Sequence, residues 1–194
     1  MNFEEIKKVL QTKTIGIAGC GGLGSNCAVA LARTGIGKLI IADFDVVEES
    51  NLNRQYYFHH QIGQKKVESL KVNIKLINPN AQVEAHHIRL DETSIAKIYK
   101  NCDVVVEAFD TSEMKLLIIE TMAEGLPNKP LVLGVGMAGW GDNNSIKCRN
   151  HENLYICGDE EKEITEDLPP LAPRVGIVAN MQANTVLEIL LGSA

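Results

Sequence analysis

Thr14-Ile15-Gly16-Ile17-Ala18 runs straight into Gly19-Cys20-Gly21-Gly22-Leu23-Gly24. The first five residues are short and apolar, the pattern of a buried strand. The next six fit G-x-G-x-x-G with an extra glycine, and Leu23 to Thr34 reads as a helix with small residues on its packing side. In that setting Gly19, Gly21, Gly22 and Gly24 permit a tight turn and close backbone approach, and the helix N-terminus offers N–H groups to a phosphate. Lys38–Ala42 is a second strand. Asp43 stands at its end, 19 residues after Gly24, where a carboxylate accepts from ribose hydroxyls. The pattern marks an adenine-nucleotide site and does not choose between NAD and ATP.

Outward from this unit, strands and helices keep alternating. Phe3 to Leu10 is an amphipathic helix within an N-terminal segment 3–11. Gly63 to Ile77 is a helix stopped by Asn78-Pro79-Asn80. Gln82–His87 alternates like a strand near the sheet edge, and Asp91 to Tyr99 is a helix opened by carboxylates. Asp103–Glu107 and Leu131–Val135 are buried strands flanking a helix from Ser112 to Glu124. The expected fold is α/β: a Rossmann-like, doubly wound, mostly parallel sheet. Four glycines then fall within Gly134 to Gly141, and Ser145–Cys148 with Asn153–Cys157 reads as a hairpin. Gly158 to Pro170 holds six acids and one base and is expected to be a mobile crossover loop. Arg174 to Leu191 is an apolar final helix. With no repeat and no linker, residues 1–194 read as a single nucleotide-binding domain.

Composition bounds the function. The chain has 194 residues, 45% hydrophobic and 23% charged, which suits a folded protein with a full core. A net charge of −6 argues against nucleic acid as the main partner. No run reaches the ~18 apolar residues of a membrane helix. Met1 to Thr14 lacks the apolar core of a signal peptide, so the default expectation is a cytoplasmic protein. The five cysteines are irregularly spaced, with no C-x-x-C pair, so neither a disulfide framework nor a zinc site is expected. His59-His60 and His86-His87 look like metal pairs, but adjacent strand residues point to opposite faces. Met114, Met122, Met137 and Met181 read as core filler. Trp140 either lines a groove or merely packs.

The block after Asp43 separates ATP from NAD. Asp43-Phe44-Asp45 is followed by Ser50-Asn51-Leu52-Asn53-Arg54-Gln55 and then Gly63-Gln64-Lys65-Lys66. A dehydrogenase has no use for this polar cluster. It brings an amide, a guanidinium and an ammonium close behind the ribose acid, and Arg can fork onto phosphate oxygens. Lys66 falls at a helix start, where a cation is unfavourable without an anion beside it. These motifs, continued by Val106-Glu107-Ala108-Phe109-Asp110 and Leu171-Ala172-Pro173-Arg174-Val175-Gly176, closely resemble the ThiF/MoeB family, bacterial relatives of ubiquitin-activating enzymes. The short length and the APRVG ending look most like the compact ThiF type.

The resemblance implies that ATP and magnesium bind. It implies that the C-terminal glycine carboxylate of a small ubiquitin-like sulfur carrier, ThiS-like and ending in Gly-Gly, is adenylated with release of pyrophosphate, in thiamine biosynthesis. By position, Asp43 would hold the ribose, and Asn51, Arg54 and Lys66 would neutralise the triphosphate. Gln55 would orient Arg54 or touch phosphate, and Asp110 would coordinate magnesium. A homodimer is implied. A molybdopterin-type carrier, a tRNA carboxylate and an NAD-dependent dehydrogenase are the alternatives. Against the family pattern, only Cys157 remains of the zinc cysteines. No Arg precedes Arg33 to reach a partner's site, leaving Lys7, Lys8, Lys13 or Arg174 as substitutes. The crossover loop has no cysteine; Cys157 at its edge is its nearest thiol.

Overall fold

The computed structural model describes residues 1–159, 161–162 and 164–192. Helix α1 (Phe3–Leu10) is set by a capping box, with the Asn2 carboxamide accepting from Glu5 N–H and the Glu5 carboxylate from Asn2 N–H. Gln11 is its cap rather than its last turn. Then come β1 (Thr14–Ala18), α2 (Gly22–Thr34), β2 (Lys38–Asp43), α3 (Lys66–Ile77), β3 (Gln82–His87), α4 (Glu92–Tyr99), β4 (Val104–Glu107), α5 (Ser112–Gly125) and β5 (Leu131–Gly134). The hairpin β6 (Lys147–His151) and β7 (Leu154–Gly158) and the long helix α6 (Ala172–Leu191) complete the order.

One seven-stranded sheet runs β3-β2-β1-β4-β5-β7-β6. All pairings are parallel except β6 on β7. The chain is a Rossmann-like α/β fold. Strands β1, β4 and β5 are almost wholly buried, as parallel strands covered on both faces must be. One core packs α1, α2, α3 and α6 on the first face, around Ile15, Ile17, Leu31, Val106 and Val178. The second packs α4 and α5 on the other, around Ile95, Tyr99, Val105 and Ile118. Successive crossovers therefore change face between β1 and β4, which is where open α/β sheets bind ligands.

Several boundaries differ from the sequence reading, among them the first hairpin strand, which is Lys147–His151 and not Ser145–Cys148; three have a clear local reason. Helix α3 begins at Lys66, not Gly63. Gly63 has φ +83, and Lys65 is extended in a bridge with Val46, so the chain cannot yet be helical. Helix α6 begins two residues before Arg174, because Pro173 fits the first turn, where no intrahelical N–H is needed. The crossover segment is anchored at both ends. Gly158 closes β7, Asp159 is buried, and Pro170 bridges Ala138 and Gly139. Glu160 and Glu163, two acids of the expected mobile stretch, lie outside the described residues.

Candidate functional site

The C-terminal ends of β1, β2 and β4 open onto a cavity of about 340 Å³. Gly19, Gly21, Gly22 and Leu23 line it from the glycine turn and the start of α2. The first N–H groups of a helix have no intrahelical acceptor and carry the positive end of its dipole, which makes this turn an anion cradle. Gly19 has φ +96, and a β-carbon there would stand 2.7 Å from Ala108 O. Gly24 has a different task. It does not line the cavity, and a β-carbon on it would stand 1.9 Å from Gly19 O. Its hydrogen lets α2 sit against the turn. Gly24→Ala should therefore displace the whole turn. We expect a loss of roughly 1–3 kcal/mol by overpacking, read as a lower urea midpoint; an unchanged midpoint would contradict it.

Asp43 is tied into this turn. Its Oδ2 accepts from Cys20 N–H at 2.6 Å and its Oδ1 from Asp45 N–H at 2.7 Å. The carboxylate thus holds the glycine turn and its own loop together while lining the cavity. Tyr57 braces the other side, its hydroxyl donating to Cys20 O at 2.7 Å. Burial pushes the Tyr57 phenol up, so it stays a donor.

Three of the expected charged groups meet in the same cavity: Arg54, Lys66 and Asp110. Arg54 is held by its own loop, Nη1 donating to Ser50 O at 3.1 Å and Asn53 Oδ1 at 2.8 Å. Lys66 is the first residue of α3 and is buried, and its Nζ pairs with Asp45 Oδ2 at 2.7 Å. Asp45 supplies the anion that a lysine at a helix N-terminus requires. Asn51 stands apart from the cavity lining. It is buried, and its Oδ1 accepts from Glu48 N–H at 3.0 Å, closing the turn before Arg54. Its Oδ1 shapes the loop. Gln55 lines the cavity, with Oε1 buried and unpartnered among the described residues.

Asp110 follows β4 on a rigid base. Glu107, fully buried, accepts from Phe109 N–H at 2.6 Å and pairs with Lys115 Nζ at 2.9 Å; Lys115 also donates to Gly134 O at 2.8 Å. Asp110 itself is exposed, with no hydrogen-bond or ion-pair partner among the described residues. Burial raises the Glu107 carboxyl, and the Lys115 ammonium opposes it. A raised folded value means a stability contribution that is present below the ordinary carboxylate range and is lost as pH rises through the folded value. Lys115→Met removes the opposing charge and raises Glu107 further. The variant should therefore be penalised more near about pH 7 than near about pH 5. Equal urea-midpoint deficits at the two pH values would contradict this.

The ThiF family model matches residues 2–194. The chain belongs to the ThiF family. Adenylyltransferase and sulfurtransferase MOCS3 of Caenorhabditis briggsae is 32% identical over 191 residues, covering 94% of this chain and 47% of that protein. Ubiquitin-like modifier-activating enzyme 5 of Bombyx mori is 38% identical over 104 residues, 54% of this chain and 25% of that protein. The ThiF-family chain thus spans about half the length, or less, of these curated relatives. Among solved structures, Escherichia coli TcdA, tRNA N6-threonylcarbamoyladenosine dehydratase, in complex with ATP aligns at TM-score 0.87 and 21% identity, over 97% of this chain and 89% of that one. Escherichia coli MccB with AMPCPP and MccA aligns at 0.74 and 23%, over 95% and 58%. At these identities the likeness is one of fold.

Some residues of this ThiF-family chain depart from their expected places. Arg174 cannot reach out as a substitute for an N-terminal Arg. It is buried, paired with Asp159, and donates to Gly136 O at 3.2 Å and Gly141 O at 2.7 Å. Lys13 pairs with Asp103 at 3.6 Å. Met114 and Met137 pack against the core as expected and also line the cavity, Met181 packs against the core, and Met122 is buried. Trp140 is 68% exposed and lines no part of the cavity. Two cavity residues stand outside the expected site: Asp45, the partner of Lys66, and Arg89, whose Cζ lies 5.0 Å from the Phe44 ring centroid. The signal for Arg89 was its place just beyond a strand end, the edge where Asp43 and Asp110 also stand.

Proposed function

We propose that this chain adenylates the C-terminal carboxylate of a small ubiquitin-like carrier protein ending in Gly-Gly, using ATP. The observation that carries the reading is the meeting of a glycine turn and helix N-terminus with Arg54, Lys66 and Asp110 in one cavity. A dinucleotide hydride carrier leaves Arg54 and the Asp45–Lys66 pair without a task. The names of the relatives, an adenylyltransferase and a ubiquitin-like modifier-activating enzyme, point the same way.

In this reading the glycine turn and Arg54 receive the phosphates, Lys66 adds a positive charge shared with Asp45, and Asp43 accepts from the ribose. The unpartnered Gln55 Oε1 is the kind of buried acceptor that an incoming donor satisfies. The carrier carboxylate is already ionised at neutral pH and needs no general base. It attacks the α-phosphorus, the bond to the β-phosphate oxygen breaks, and pyrophosphate leaves. The chain's residues position the reactants and stabilise moving charge. Among the described residues no cluster of three or more His, Cys, Asp or Glu could hold a metal. Magnesium delivered with a nucleotide commonly needs only one or two protein carboxylates, and the unpaired Asp110 fits that role. Bound there, magnesium would neutralise phosphate charge.

The finer assignment is a ThiS-like sulfur carrier in thiamine synthesis, from the resemblance to the compact ThiF type, with a homodimer as the assembly. No helix among the described residues is long and apolar enough to cross a membrane, and a cytoplasmic location belongs to the same proposal. The test is ATP–pyrophosphate exchange with a panel of carriers: a thiamine-type, a molybdopterin-type, and a tRNA arm. Exchange with the thiamine-type carrier alone supports the finer assignment. Exchange only with tRNA, or thermal stabilisation by NAD and not by ATP–magnesium, defeats the carrier reading.

A further inference from the structure

Cys148 and Cys157 face each other across the terminal hairpin, and nothing in the nucleotide chemistry uses them. They are direct partners in the antiparallel β6–β7 register. Their sulfurs stand 3.7 Å apart, the Cys157 thiol donating to Cys148 Sγ. The Thr185 hydroxyl of α6 lies against both, 3.4 Å from Cys148 Sγ and 3.5 Å from Cys157 Sγ. Directly opposed residues on antiparallel strands have Cα atoms about 4.5–5.5 Å apart, within the span a disulfide tolerates. The register therefore places the two cysteines within disulfide span.

The two thiols differ in access. Cys148 is exposed on β6, an edge strand open to solvent along its length, and Cys157 is buried. Burial pushes the Cys157 thiol up to about 12, with the neighbouring Cys148 adding to the rise. Cys148 is therefore the thiol an oxidant meets first, and Cys157 is the one placed to resolve it. Cys20, Cys27 and Cys102 are buried, and among the described residues none of them makes a sulfur–sulfur contact of hydrogen-bond length.

We propose that Cys148 and Cys157 form a redox dithiol, a modification site that closes to an intramolecular disulfide on meeting a small-molecule disulfide. The Cys148 thiolate attacks one sulfur of the oxidant. The oxidant's S–S bond breaks, one thiolate leaves and takes a proton from water, and Cys148 carries a mixed disulfide. The Cys157 thiol then gives its proton to solvent and attacks the Cys148 sulfur, expelling the second thiolate. Two cysteines are oxidised to one disulfide, and the oxidant is reduced to two thiols. Closure removes both S–H groups that lie against the Thr185 hydroxyl, so the contact between β7 and α6 changes with redox state.

The test treats the native full chain with excess oxidised glutathione, then counts thiols and maps peptides without reduction. The expected result is loss of two thiols per chain, a Cys148–Cys157 linked peptide, and full return on adding a dithiol reductant. Cys157→Ser should stop with glutathione held on Cys148, and Cys157→Ala, which keeps the pocket apolar, should stop at the same stage. Stable glutathione on wild-type Cys148, a Cys148-linked dimer, a Cys27–Cys157 link, or no thiol loss would each overturn the proposal.

Discussion

Asp110→Asn is expected to lose about a hundredfold or more of carrier-dependent pyrophosphate release at saturating ATP, and Arg54→Ala to lose a comparable amount, while both still bind ATP measurably. Base and ribose contacts act alike in the ground and transition states, so their loss chiefly raises KM. Charge on the α-phosphate and on the departing pyrophosphate shifts during displacement. The carboxylate of Asp110, unpaired among the described residues, and the loop-tethered guanidinium of Arg54 are the groups placed to answer that shift. Lys66→Ala should cost less, because Asp45 already shares its charge at 2.7 Å. Asp43→Ala should weaken ATP binding more than turnover. It should also lower thermal stability, since Cys20 and Asp45 N–H lose their acceptors. Wild-type turnover by Asp110→Asn at saturating ATP would remove the magnesium role and the site proposed with it.

The second large effect is on stability. Arg174→Met should cost roughly 3–5 kcal/mol, the range found when one member of a buried ion pair is removed. Arg174 and Asp159 have side chains only 2% and 1% exposed. Without the guanidinium, the Asp159 carboxylate keeps, among the described residues, only the N–H groups of Glu161 and Lys162, at 3.1 and 3.0 Å. The carbonyls of Gly136 and Gly141 lose their donor as well. Gly136 shows how closely the unit is built, with φ +63 and space for a β-carbon only 2.1 Å from Asp159 Oδ1. Adding Asp159→Asn to Arg174→Met removes the stranded charge and should restore part of the loss. Urea melts of the three proteins decide it. A wild-type midpoint for Arg174→Met would show that the pair does not hold the crossover segment, the glycine-rich turn and α6 together.

Much of this was legible in the residue order. The periodicity of short apolar runs and amphipathic stretches is a local property, and it specified the strands, most of the helices and the Rossmann-like class. The glycine turn, Asp43, Arg54, Lys66 and Asp110 were readable because each sits at a strand end or helix start, and the parallel topology brings those ends to one edge. What the order of residues could not convey was pairing across space. Asp45 meets Lys66 across 21 positions and Asp159 meets Arg174 across 15. Read singly, Lys66 and Arg174 were cations free for a ligand or a partner subunit. In the fold one is shared with Asp45 and the other is fully enclosed. Asn51 and Gly24 likewise carry the residue types of a binding motif, yet face the protein's own backbone. A sequence fixes which groups a chain possesses and, by local periodicity, which element carries each. Desolvation and charge pairing depend on distances that exist only after the sheet is assembled, so the tertiary structure alone decided which of those groups remain free to meet a substrate.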